Sequence, residues 1–564
     1  MPTPSTAVDR RRGFRAILAS GMGESARRRL GGWGFEGEDF PPTGELLRWL
    51  ERHLGTGVAV PRGPGRPWRL PAGRELPELA AEVSQDERDR LTHSRGQGLP
   101  DILRLRAGAV GFTPDAVCRP ATFEEVGEVL ERCDQAGIRI IPWGGGTSVT
   151  GGVNVIDDQV PTLSLDLERL GELESFDERS RLATFGAGVT GPRVESSLAD
   201  LGMTLGHFPQ SWELSTLGGW VVTRSSGQES LGYGRIDDMV AGLRLVAPAG
   251  SLELAPSPGS AAGPDLRRFV LGSEGRFGIV TSVTVRVHPR PQHRVVQAAL
   301  MRSWDDGLEV VRELTQNRTP LTMLRLSDAP ETQVAMAVGL RASRSEPLIR
   351  GYLRVRGFGP RACLLLFVAT GGSKAIDRAI DGARSVLRRH RGLPLGFKPG
   401  AKWLRDRFRH PYLRDGLLDS GYATDTLETA APWSALEEVR DHVRKAISGA
   451  LTDRGEAVAV LSHISHPYLD GASLYFTFFF RATGLVEQNI ERWAKIKRAA
   501  TRAIVSSRAT LTHHHGIGQW HAPWLPEEIG PSGVAALRAV ADALDPKGIL
   551  NPGVLLDPVD RLEA

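Results

Sequence analysis

The sequence predicts an α+β protein of several domains, and three observations support this prediction. The chain has 564 residues, which is too long for one hydrophobic core and indicates two or three domains. Between about residues 106 and 290, short apolar runs alternate with turns and helical stretches. From about 291 to 505, longer strand-like runs alternate with long helical ones. We therefore expect two mixed domains in succession, with an arm before them and a closing segment after them.

The first segment, 1–105, is predicted to be a helical arm. Its arginine-rich start places Phe14, Ile17 and Leu18 on one face of a short basic amphipathic helix. A frayed, solvated tail explains the same residues equally well. Further on, apolar residues recur at helical spacing, at Leu46, Leu47 and Leu50.

The second segment, 106–290, is predicted to combine short strands with helices. Thr122 to Ala136 has the apolar period of an amphipathic helix and leads into a strand at Ile138 to Ile141. Leu243 to Leu254 predicts a hairpin, and Ile279 to Val287 alternates like a half-buried strand.

The third segment, 291–505, is predicted to be a sheet backed by helices. The strand-like runs are Val295 to Leu300, Cys363 to Ala369, Ala457 to Ile464 and Ser473 to Phe480. The helical runs are Ile376 to Arg389, Ala435 to Ile447 and Val486 to Val505. We interpret the arginine-rich piece from Lys402 to Arg414 as a mobile lid. The fourth segment, 506–564, holds Thr512-His-His-His-Gly-Ile-Gly518, a helix, and a closing stretch from Leu544 to Gly553.

Composition and charge narrow the class of protein. The apolar fraction of 41% and the charged fraction of 24% are ordinary for a globular protein, and no apolar run is long enough to span a membrane. Three scattered cysteines argue against a disulfide framework and a cysteine metal site. The net charge of +4 comes from arginines mixed with acids, which favours an anionic substrate or lipid surface over nucleic acid. Neither a secretory signal nor a peroxisomal address is evident, so we expect a cytoplasmic or membrane-peripheral protein.

A glycine-rich stretch follows the Ile138 strand directly. It reads Ile141-Pro-Trp-Gly-Gly-Gly-Thr-Ser-Val-Thr-Gly-Gly152. Successive residues without Cβ let backbone N–H groups point into one concavity, and such a nest binds an anion, most often a phosphate or diphosphate. The stretch lacks the lysine of a Walker loop and the glycine spacing of a dinucleotide-binding fold. A tight surface turn is the alternative interpretation.

Two further segments are also small, polar and punctuated by glycine. One runs from Pro209 to Gly219, with Thr223 to Gly227 behind it, and the other from Gly272 to Val280. Together the three segments favour a large, flat cofactor with a diphosphate, because such a cofactor needs close backbone approach in several places. The residues that we assign to its binding are Pro142, Trp143, Gly144, Gly145, Gly146, Thr147, Ser148, Gln210, Ser211, Ser215, Thr216, Gly218, Gly219, Thr223, Arg224, Ser225, Ser226, Glu274, Gly275, Gly278, Ile279 and Val280.

Two candidates for proton transfer lie downstream. His513, His514 and His515 are consecutive, so on a regular strand their imidazoles point in different directions and cannot all ligate one tetrahedral metal. We predict no metal site, and we expect at least one of the three to act beside the cofactor as a proton shuttle or electrostatic partner. Tyr475 lies in the apolar run 474–480 and is either plain core or a base, since a neighbouring guanidinium and imidazolium could lower its pKa from ~10.

Two arginines are candidate anion ligands. Arg414 stands near other arginines that we mostly interpret as a solvated face, namely Arg405, Arg407 and Arg409. One guanidinium aimed into a site would bind a phosphate or carboxylate through two parallel hydrogen bonds. Arg325 is flanked by apolar residues on a predicted strand, so it forms either a structural ion pair or a second anion contact.

These motifs together resemble the FAD domain of the vanillyl-alcohol-oxidase/PCMH flavoprotein family. The resemblance extends almost end to end to the alkylglycerone-phosphate synthase (alkyldihydroxyacetonephosphate synthase) members of that family. The matching stretches are Gly32-Trp-Gly34, Pro142 to Ser148, Ser215 to Trp220, Thr223 to Ser226, Tyr233 to Asp238, Gly272 to Gly275, Leu413 to Asp415, Glu428 to Trp433, Tyr475-Phe476 and His513 to Gly516.

The resemblance implies a fold and a set of roles. It implies a PCMH-type FAD-binding domain of two α/β subdomains at 106–290, an α+β cap or substrate domain at 291–505, and a C-terminal segment at 506–564 that returns to the FAD domain. FAD would be bound non-covalently. Tyr475 would be the acid/base, Arg414 the ligand of the substrate phosphate and Arg325 a functionally important arginine, and the three histidines would form an essential element of the active site.

The reaction implied is an exchange in which the flavin supplies the nucleophile. The acyl chain of an acyl-dihydroxyacetone phosphate leaves and a fatty alcohol takes its place, giving an ether-lipid precursor. The phosphorylated lipid-like substrate and the alcohol need an apolar tunnel, with which the 474–480 run is compatible. The basic arm is compatible with peripheral contact with a membrane. We also expect a homodimer and no nucleic-acid partner.

Two other functions stay open. An FAD-dependent 2-hydroxy-acid dehydrogenase would use the same cofactor domain, and its metal-containing members carry a His-x-Gly-Asp-Gly-Asn-x-His-like segment. Here the comparable stretch runs from His466 to Tyr475, where a tyrosine replaces the second histidine, which argues against that chemistry. A non-catalytic flavin- or lipid-binding protein is the third possibility, and the intact set of Tyr475, Arg414 and the histidines argues against it.

Overall fold

The computed structural model of the chain describes residues 27–63, 68–339 and 346–557, and it confirms the predicted α+β class. The helices are α1 (Gly44–Leu54), α2 (Glu87–Thr92), α3 (Leu99–Ala107), α4 (Phe123–Ala136), α5 (Gly191–Asp200), α6 (Leu217–Val222), α7 (Ser230–Tyr233), α8 (Ile236–Met239), α9 (Arg267–Val270), α10 (Trp304–Gln316), α11 (Ala329–Gly339), α12 (Glu346–Val355), α13 (Ser373–Arg389), α14 (Lys398–Asp406), α15 (His410–Asp419), α16 (Leu436–Gly449), α17 (Val486–Ser506) and α18 (Leu525–Leu544). The strands are β1 (Glu82–Ser84), β2 (Ala116–Arg119), β3 (Arg139–Trp143), β4 (Thr162–Asp166), β5 (Leu173–Asp177), β6 (Leu182–Gly186), β7 (Met203–Thr204), β8 (Val240–Ala247), β9 (Gly250–Leu254), β10 (Ile279–Arg286), β11 (His288–Pro289), β12 (His293–Met301), β13 (Met323–Ser327), β14 (Cys363–Gly371), β15 (Leu393–Gly396), β16 (Tyr422–Pro432), β17 (Val458–Pro467) and β18 (Gly471–Arg481).

Two sheets share the first core. One has the order β1-β2-β4-β3, in which β2, β4 and β3 run parallel and β1 pairs antiparallel at the edge. The other has the order β5-β6-β10-β8-β9 and is antiparallel throughout. Helix α4 covers the first sheet because Val126, Val129, Leu130 and Cys133 recur on one face, and Thr122 caps its start by accepting a hydrogen bond from the Glu125 N–H. The predicted helix and the predicted β8–β9 hairpin are confirmed.

A larger antiparallel sheet forms the second core. Its order is β15-β12-β14-β13-β17-β18-β16. Helices α10, α13, α16 and α17 bury their apolar faces in the same core, so the predicted sheet backed by helices is confirmed. Strand β16 is a difference from the sequence analysis, which contains no strand at this position. It pairs with β18 over its whole length, so that Glu428 lies opposite Tyr475.

The described part of the arm, residues 27–63 and 68–105, is less helical than predicted. Helix α1 confirms the leucine periodicity, with Leu46, Trp49 and Leu50 buried. Most of the described residues between α1 and α2 lie outside helices and strands, and β1 joins the first sheet by pairing with β2. Arg28 and Phe35 form an isolated bridge that closes a short turn before α1. The predicted amphipathic face of Phe14, Ile17 and Leu18 lies outside the described residues.

The end of the chain returns to the first core. Leu550 forms a parallel bridge with Ile140 of β3, and Ile549 and Leu550 are buried in the core of the first two sheets. The Asn551 side-chain amide donates to the carbonyls of Gly152 and Glu274, at 3.0 and 2.7 Å. The closing stretch therefore contacts two of the three predicted cofactor segments.

The piece from Lys402 to Arg414 forms the end of α14 and the start of α15. Arg405 is exposed, with 68% of its side chain accessible, whereas only 3% of the Arg407 side chain is accessible. The solvated face that we predict for most of these arginines therefore includes Arg405 but not Arg407, whose guanidinium binds the buried Glu229 carboxylate at 2.8 Å. The mobility of the piece stays a prediction. In the part of the chain that the structure describes, no helix combines the length and the apolar character needed to cross a membrane.

Candidate functional site

The three glycine-punctuated segments meet at the end of β3. A Cβ on Gly144 would lie 2.2 Å from Thr216 Oγ1, and one on Gly145 would lie 1.9 Å from the Leu214 carbonyl oxygen. Gly275 approaches Pro142 so closely that its Cβ would be 2.4 Å from Pro142 Cγ. These distances leave no room for a side chain, so the glycines permit the close approach of the three segments.

The glycine-rich loop leaves a row of backbone donors for a ligand. Among the residues that the structure describes, the N–H groups of 144–149 donate no hydrogen bond to another protein group. Gly146 has φ of +63°, which reverses the backbone within the row. The Ser148 hydroxyl accepts from the Gly152 N–H at 2.9 Å and holds the loop closed. Unpaired N–H groups on a curved, glycine-lined loop fit the diphosphate of a dinucleotide cofactor.

The other predicted cofactor residues form the scaffold around this loop. Thr216 caps α6, and Ser215 accepts from the Trp220 indole at 2.7 Å. Ser225 bonds His207, and Arg224 pairs with Asp237. The remaining predicted residues lie on the same segments. Four of them donate side-chain hydrogen bonds: Gln210 to the Arg407 carbonyl, Ser211 to Ser215, Thr223 to the Gly219 carbonyl and Ser226 to Ser230. The others pack against neighbours or are buried: Gly218 contacts Ala187, Gly278 contacts Leu245, Trp143 packs on Gly146, Ile279 and Val280 are buried in β10, and Thr147 is half-buried.

Glu274 connects the cofactor segments to the histidine loop. Its carboxylate accepts hydrogen bonds from the Ile517 and Gly518 N–H groups at 2.6 and 2.8 Å. The Glu274 backbone has φ of +49°, an unusual conformation for a residue with a side chain. Burial raises the pKa of Glu274 to about 7, although the two N–H groups oppose the rise.

A second carboxylate holds the other half of the histidine loop. Glu428 Oε1 accepts from the Thr512 hydroxyl at 2.7 Å and from the His514 and His515 N–H groups at 3.1 and 2.9 Å. Glu428 Oε2 accepts from the His513 N–H. Burial opposes ionisation, but the three histidines and the Thr512 hydroxyl outweigh it and hold the pKa of Glu428 far below its usual value. The loop is thus bound by an anion on β16 as well as by Glu274.

Tyr475 lies among imidazole rings. Its ring stacks on His463 with centroids 5.0 Å apart and on His514 at 6.0 Å, and it meets His515 edge-on at 5.6 Å. The structure therefore brings the predicted tyrosine together with two of the three predicted histidines. His513 lies one ring further away and contacts His466 and Tyr468.

The predicted lowering of the Tyr475 pKa is wrong. Burial raises the pKa of Tyr475 well above its ordinary value, and the carboxylates of Glu428 and Asp425 add to the rise. Arg325 acts in the opposite direction but is the weakest of the named influences. No imidazolium assists, because burial lowers the pKa of His514 to about 3 and that of His515 to about 4. At neutral pH the site holds a protonated phenol beside neutral imidazoles.

Arg325 forms an ion pair. Its Nη2 lies 2.5 Å from Glu331 Oε1 and 3.0 Å from His463 Nδ1. Although burial opposes ionisation, Arg325 and His463 hold the pKa of Glu331 at about 2. Of the two alternatives that the sequence leaves open, the ion pair is the one observed. Through His463 it supports the face of Tyr475.

Arg414 lies against the glycine-rich loop. Its Nη1 donates to the Gln97 carbonyl, and its Nη2 donates to Gln97 Oε1 at 3.1 Å. Gln97 in turn donates its N–H to the Ser148 carbonyl at 2.6 Å. The buried Arg414 Nε has no partner among the described residues. Gln97 thus lies between Arg414 and the loop, and Arg414 Nε remains available as a hydrogen-bond donor.

Several residues of the site were not assigned a role from sequence. Glu428 begins the family-like stretch that ends at Trp433, and His466 begins the stretch that ends at Tyr475. The sequence predicts no function for either residue. The signal for Glu428 was an acid between Leu427 and Ala430 in a threonine-rich stretch, since a buried acid needs a partner. His463 and His466 lie on β17, and only the pairing of β17 with β18 places His463 beside Tyr475.

Comparison with known proteins identifies the cofactor. Two family models match the chain, one described as FAD binding domain over residues 114–254 and one as FAD linked oxidases, C-terminal domain, over residues 290–555. FAD is therefore the cofactor of this chain, in agreement with the unpaired N–H groups of the glycine-rich loop.

Relatives that match most of the chain are also found. The chain is 31% identical over 487 residues to an alkyldihydroxyacetonephosphate synthase of Dictyostelium discoideum, covering 85% of this chain and 79% of that protein. It is 31% identical over 509 residues to one of Trypanosoma brucei brucei, covering 88% and 82%. A solved alkyldihydroxyacetonephosphate synthase superposes with a TM-score of 0.79 at 27% identity, over 93% of this chain and 98% of that one.

Proposed function

Because the chain belongs to the alkyldihydroxyacetonephosphate synthase family of FAD-dependent enzymes, we propose that it exchanges the acyl chain of an acyl-dihydroxyacetone phosphate for a fatty alcohol. The observation that carries the proposal is the position of Tyr475. Its ring lies among neutral imidazoles on a loop that Glu274 ties to the cofactor segments. A phenol and imidazoles beside a flavin can move protons without a net change of oxidation state.

The chain's own residues would handle the protons. FAD, when bound, supplies the nucleophile of the exchange. The raised pKa keeps a proton on Tyr475 Oη, so the hydroxyl is suited to donate a proton to the oxygen of a leaving group. His514 and His515 flank the phenol as neutral imidazoles, but their lowered pKa values make them weak bases, so we assign them to positioning the phenol and not to proton abstraction. The acid/base role that the resemblance implies for Tyr475 is kept in this proposal.

An arginine of the site would bind the substrate phosphate. We assign this contact to Arg414, because its buried Nε is an available donor beside the glycine-rich loop. Arg325 is already neutralised by Glu331, so its role is to hold His463 against Tyr475. An arginine within a buried site binds a phosphate strongly because little water competes for the guanidinium.

The test is exchange of a labelled fatty alcohol into acyl-dihydroxyacetone phosphate. We expect FAD-loaded wild type to incorporate label and to release fatty acid. Tyr475→Phe keeps the stacked ring and removes the hydroxyl, so we expect a loss of ~10²–10⁴ in turnover with unchanged flavin content. Tyr422→Phe is the matched control, because that hydroxyl bonds the Gly55 carbonyl near α1 and lies away from the histidines.

Two results would count against the synthase. No incorporation by flavin-loaded wild type would exclude it. Bleaching of the flavin on anaerobic mixing with 2-hydroxy acids would favour the dehydrogenase instead, because only net hydride transfer reduces the flavin at the end of the reaction.

Finer properties rest on the resemblance alone. We infer that FAD is bound non-covalently, that the chain is a homodimer and that it contacts a membrane peripherally. Acid precipitation should leave a colourless pellet and a yellow supernatant. Sedimentation should give twice the chain mass, and flotation with anionic vesicles should carry the protein along.

A further inference from the structure

Three imidazoles near Tyr475, one of which stacks on its phenol ring, form a nearly equilateral triangle. The ring centroids of His466, His513 and His514 are 5.1, 5.2 and 5.1 Å apart. One nitrogen from each ring lies within 4.8 Å of the other two. Three imidazoles bound tetrahedrally to one zinc ion, at Zn–N distances of ~2.0–2.1 Å, hold their centroids ~5 Å apart. The spacing of the rings is therefore that of a three-histidine metal site.

His466 is oriented like a metal ligand. It is 5% exposed, and its Nε2 is buried with no hydrogen-bond partner among the described residues. Its other nitrogen, Nδ1, is occupied by the hydroxyls of Ser465 and Ser473, at 2.7 and 3.2 Å. A buried imidazole nitrogen without a partner costs free energy, and a metal ion would remove that cost.

The other two rings complete the arrangement. His513 Nδ1 and His514 Nδ1 lie 2.9 Å apart, so one lone pair must face another unless a proton or an ion lies between them. His513 Nε2 is held by the Tyr468 hydroxyl at 2.5 Å. Both His466 and His513 therefore have an oxygen partner on the nitrogen opposite the shared point, as metal-bound histidines usually do.

The surroundings supply a partner charge for a bound cation. The nearest anion is Glu428, whose Oε2 lies 3.9 Å from His514 Nδ1. Its charge partly offsets the charge of an ion at the centre of the triangle.

We propose that His466, His513 and His514 form a binding site for a transition-metal dication of the zinc type. His515 is not one of the three histidines whose ring nitrogens come together at this point. The prediction of no metal site weighed the three consecutive histidines and, separately, the stretch from His466 to Tyr475, where a tyrosine replaces the second histidine. The fold supplies a different set, since β17 brings His466 to the loop.

Three protein ligands leave one tetrahedral position free. That position would take water or an oxygen atom of the substrate, and the ion would polarise that oxygen. Zinc has no redox chemistry of its own, so its presence is compatible with an exchange that leaves the flavin unchanged. The binding proposal itself does not depend on the proposed reaction, because it is tested without substrate.

The experiment measures zinc in FAD-loaded protein that carries no polyhistidine tag. The protein is stripped with a chelator, dialysed against zinc and analysed for metal and flavin together. We expect about one zinc per chain for wild type, and absorption at the zinc edge showing about three imidazole nitrogens at ~2.0–2.1 Å. His466→Gln should lose the stoichiometric zinc, and Ser473→Ala should weaken binding ~10-fold.

The matched control is His442→Ala, an exposed histidine that bonds Ser507 and should keep wild-type zinc. Flavin content and melting temperature report whether each variant is folded. The proposal is overturned if wild type retains no zinc after dialysis, or if His466→Gln and His442→Ala retain the same amount. Zinc uptake without alcohol exchange would leave this site in place and would contradict only the synthase reaction.

Discussion

At the scale of single residues, burial decides the protonation states of the site. Tyr475, His514 and His515 all lie near charged groups, yet each takes its uncharged form because desolvation is the largest influence on its pKa. A phenol next to an arginine was a reasonable base from sequence. The sequence could not show that the carboxylates of Glu428 and Asp425 also act on the phenol.

Glu274 gives a pH-dependent contribution to stability. Its folded pKa of about 7 lies above its ordinary value of 4.5, so its contribution is fully present below pH ~4.5 and is lost as the pH rises through ~7. Glu274→Gln removes this titration. We therefore expect wild type to lose about 3 kcal/mol relative to the variant between pH 4.5 and 8, measured by urea unfolding. A constant difference across this range would show that Glu274 does not titrate with a raised pKa.

Glu428 orders the histidine loop through four hydrogen bonds. Glu428→Gln removes the charge and turns one acceptor into a donor facing backbone N–H groups. We expect a loss of about 2–4 kcal/mol in the free energy of unfolding, together with a strong loss of alcohol exchange. The exposed Glu438→Gln on α16 should change neither by a measurable amount. Equal melting temperatures for the two variants would contradict the role of Glu428.

At the scale of elements, the glycine-rich loop shows what a sequence pattern can establish. Three glycines after a strand predicted close backbone approach, and the structure shows which groups approach, Leu214 and Thr216 among them. The pattern could not reveal the contacts of Gln97 and Arg414 behind the loop. Gln97 comes from the turn before α3 and Arg414 from α15, both far from the loop in sequence.

Gly145→Ala should therefore abolish FAD binding. The added Cβ would lie 1.9 Å from the Leu214 carbonyl oxygen, so the loop or its neighbour must move. We expect FAD affinity to fall at least ~100-fold by fluorescence titration, for a backbone displacement within a binding site. Gly127→Ala is the matched control. It lies in α4 with nothing within 4 Å of the new Cβ, and alanine should stabilise the helix by up to ~1 kcal/mol. Unaltered FAD affinity in Gly145→Ala would mean that the loop does not bind the cofactor.

The long strands and helices could be predicted from sequence, but the contacts between them could not. The apolar, aromatic run of Ser473 to Phe480 and the helical run of Val486 to Val505 are local signals, and both elements were found. Strand β16 was not predicted because Asp425 and Glu428 interrupt its apolar pattern. Those same acids bind Trp493 and the histidine loop, so the residues that hid the strand are the ones that hold the site.

At the scale of the whole molecule, a buried cluster of three charges joins the two cores. Glu229, which is fully buried, binds Arg407 of the segment after α14 at 2.8 Å and Arg294 of β12 at 3.2 Å. The Arg407 guanidinium also lies 4.9 Å above the Phe208 ring. The cluster therefore attaches the arginine-rich piece and the second core to a loop of the first.

Removing Arg407 should weaken this attachment. Arg407→Gln leaves Glu229 with one fewer cation in a buried place, so we expect a loss of about 3–5 kcal/mol in the free energy of unfolding. Arg405→Gln is the control on the neighbouring helix turn, because its pair with Asp406 is exposed and should contribute less than ~1 kcal/mol. Chemical unfolding of both variants measures the difference. A similar small effect for both would show that the cluster does not support the assembly.

The loop at 512–518 is attached at both ends to different parts of the molecule. Glu428 on the large sheet holds its histidines, and Glu274 beside the glycine-rich loop holds Ile517 and Gly518. The imidazoles consequently reach their working positions only after both halves have assembled and aligned. A chain in which either half is unfolded would therefore hold its reactive side chains apart, so we expect it to be inactive.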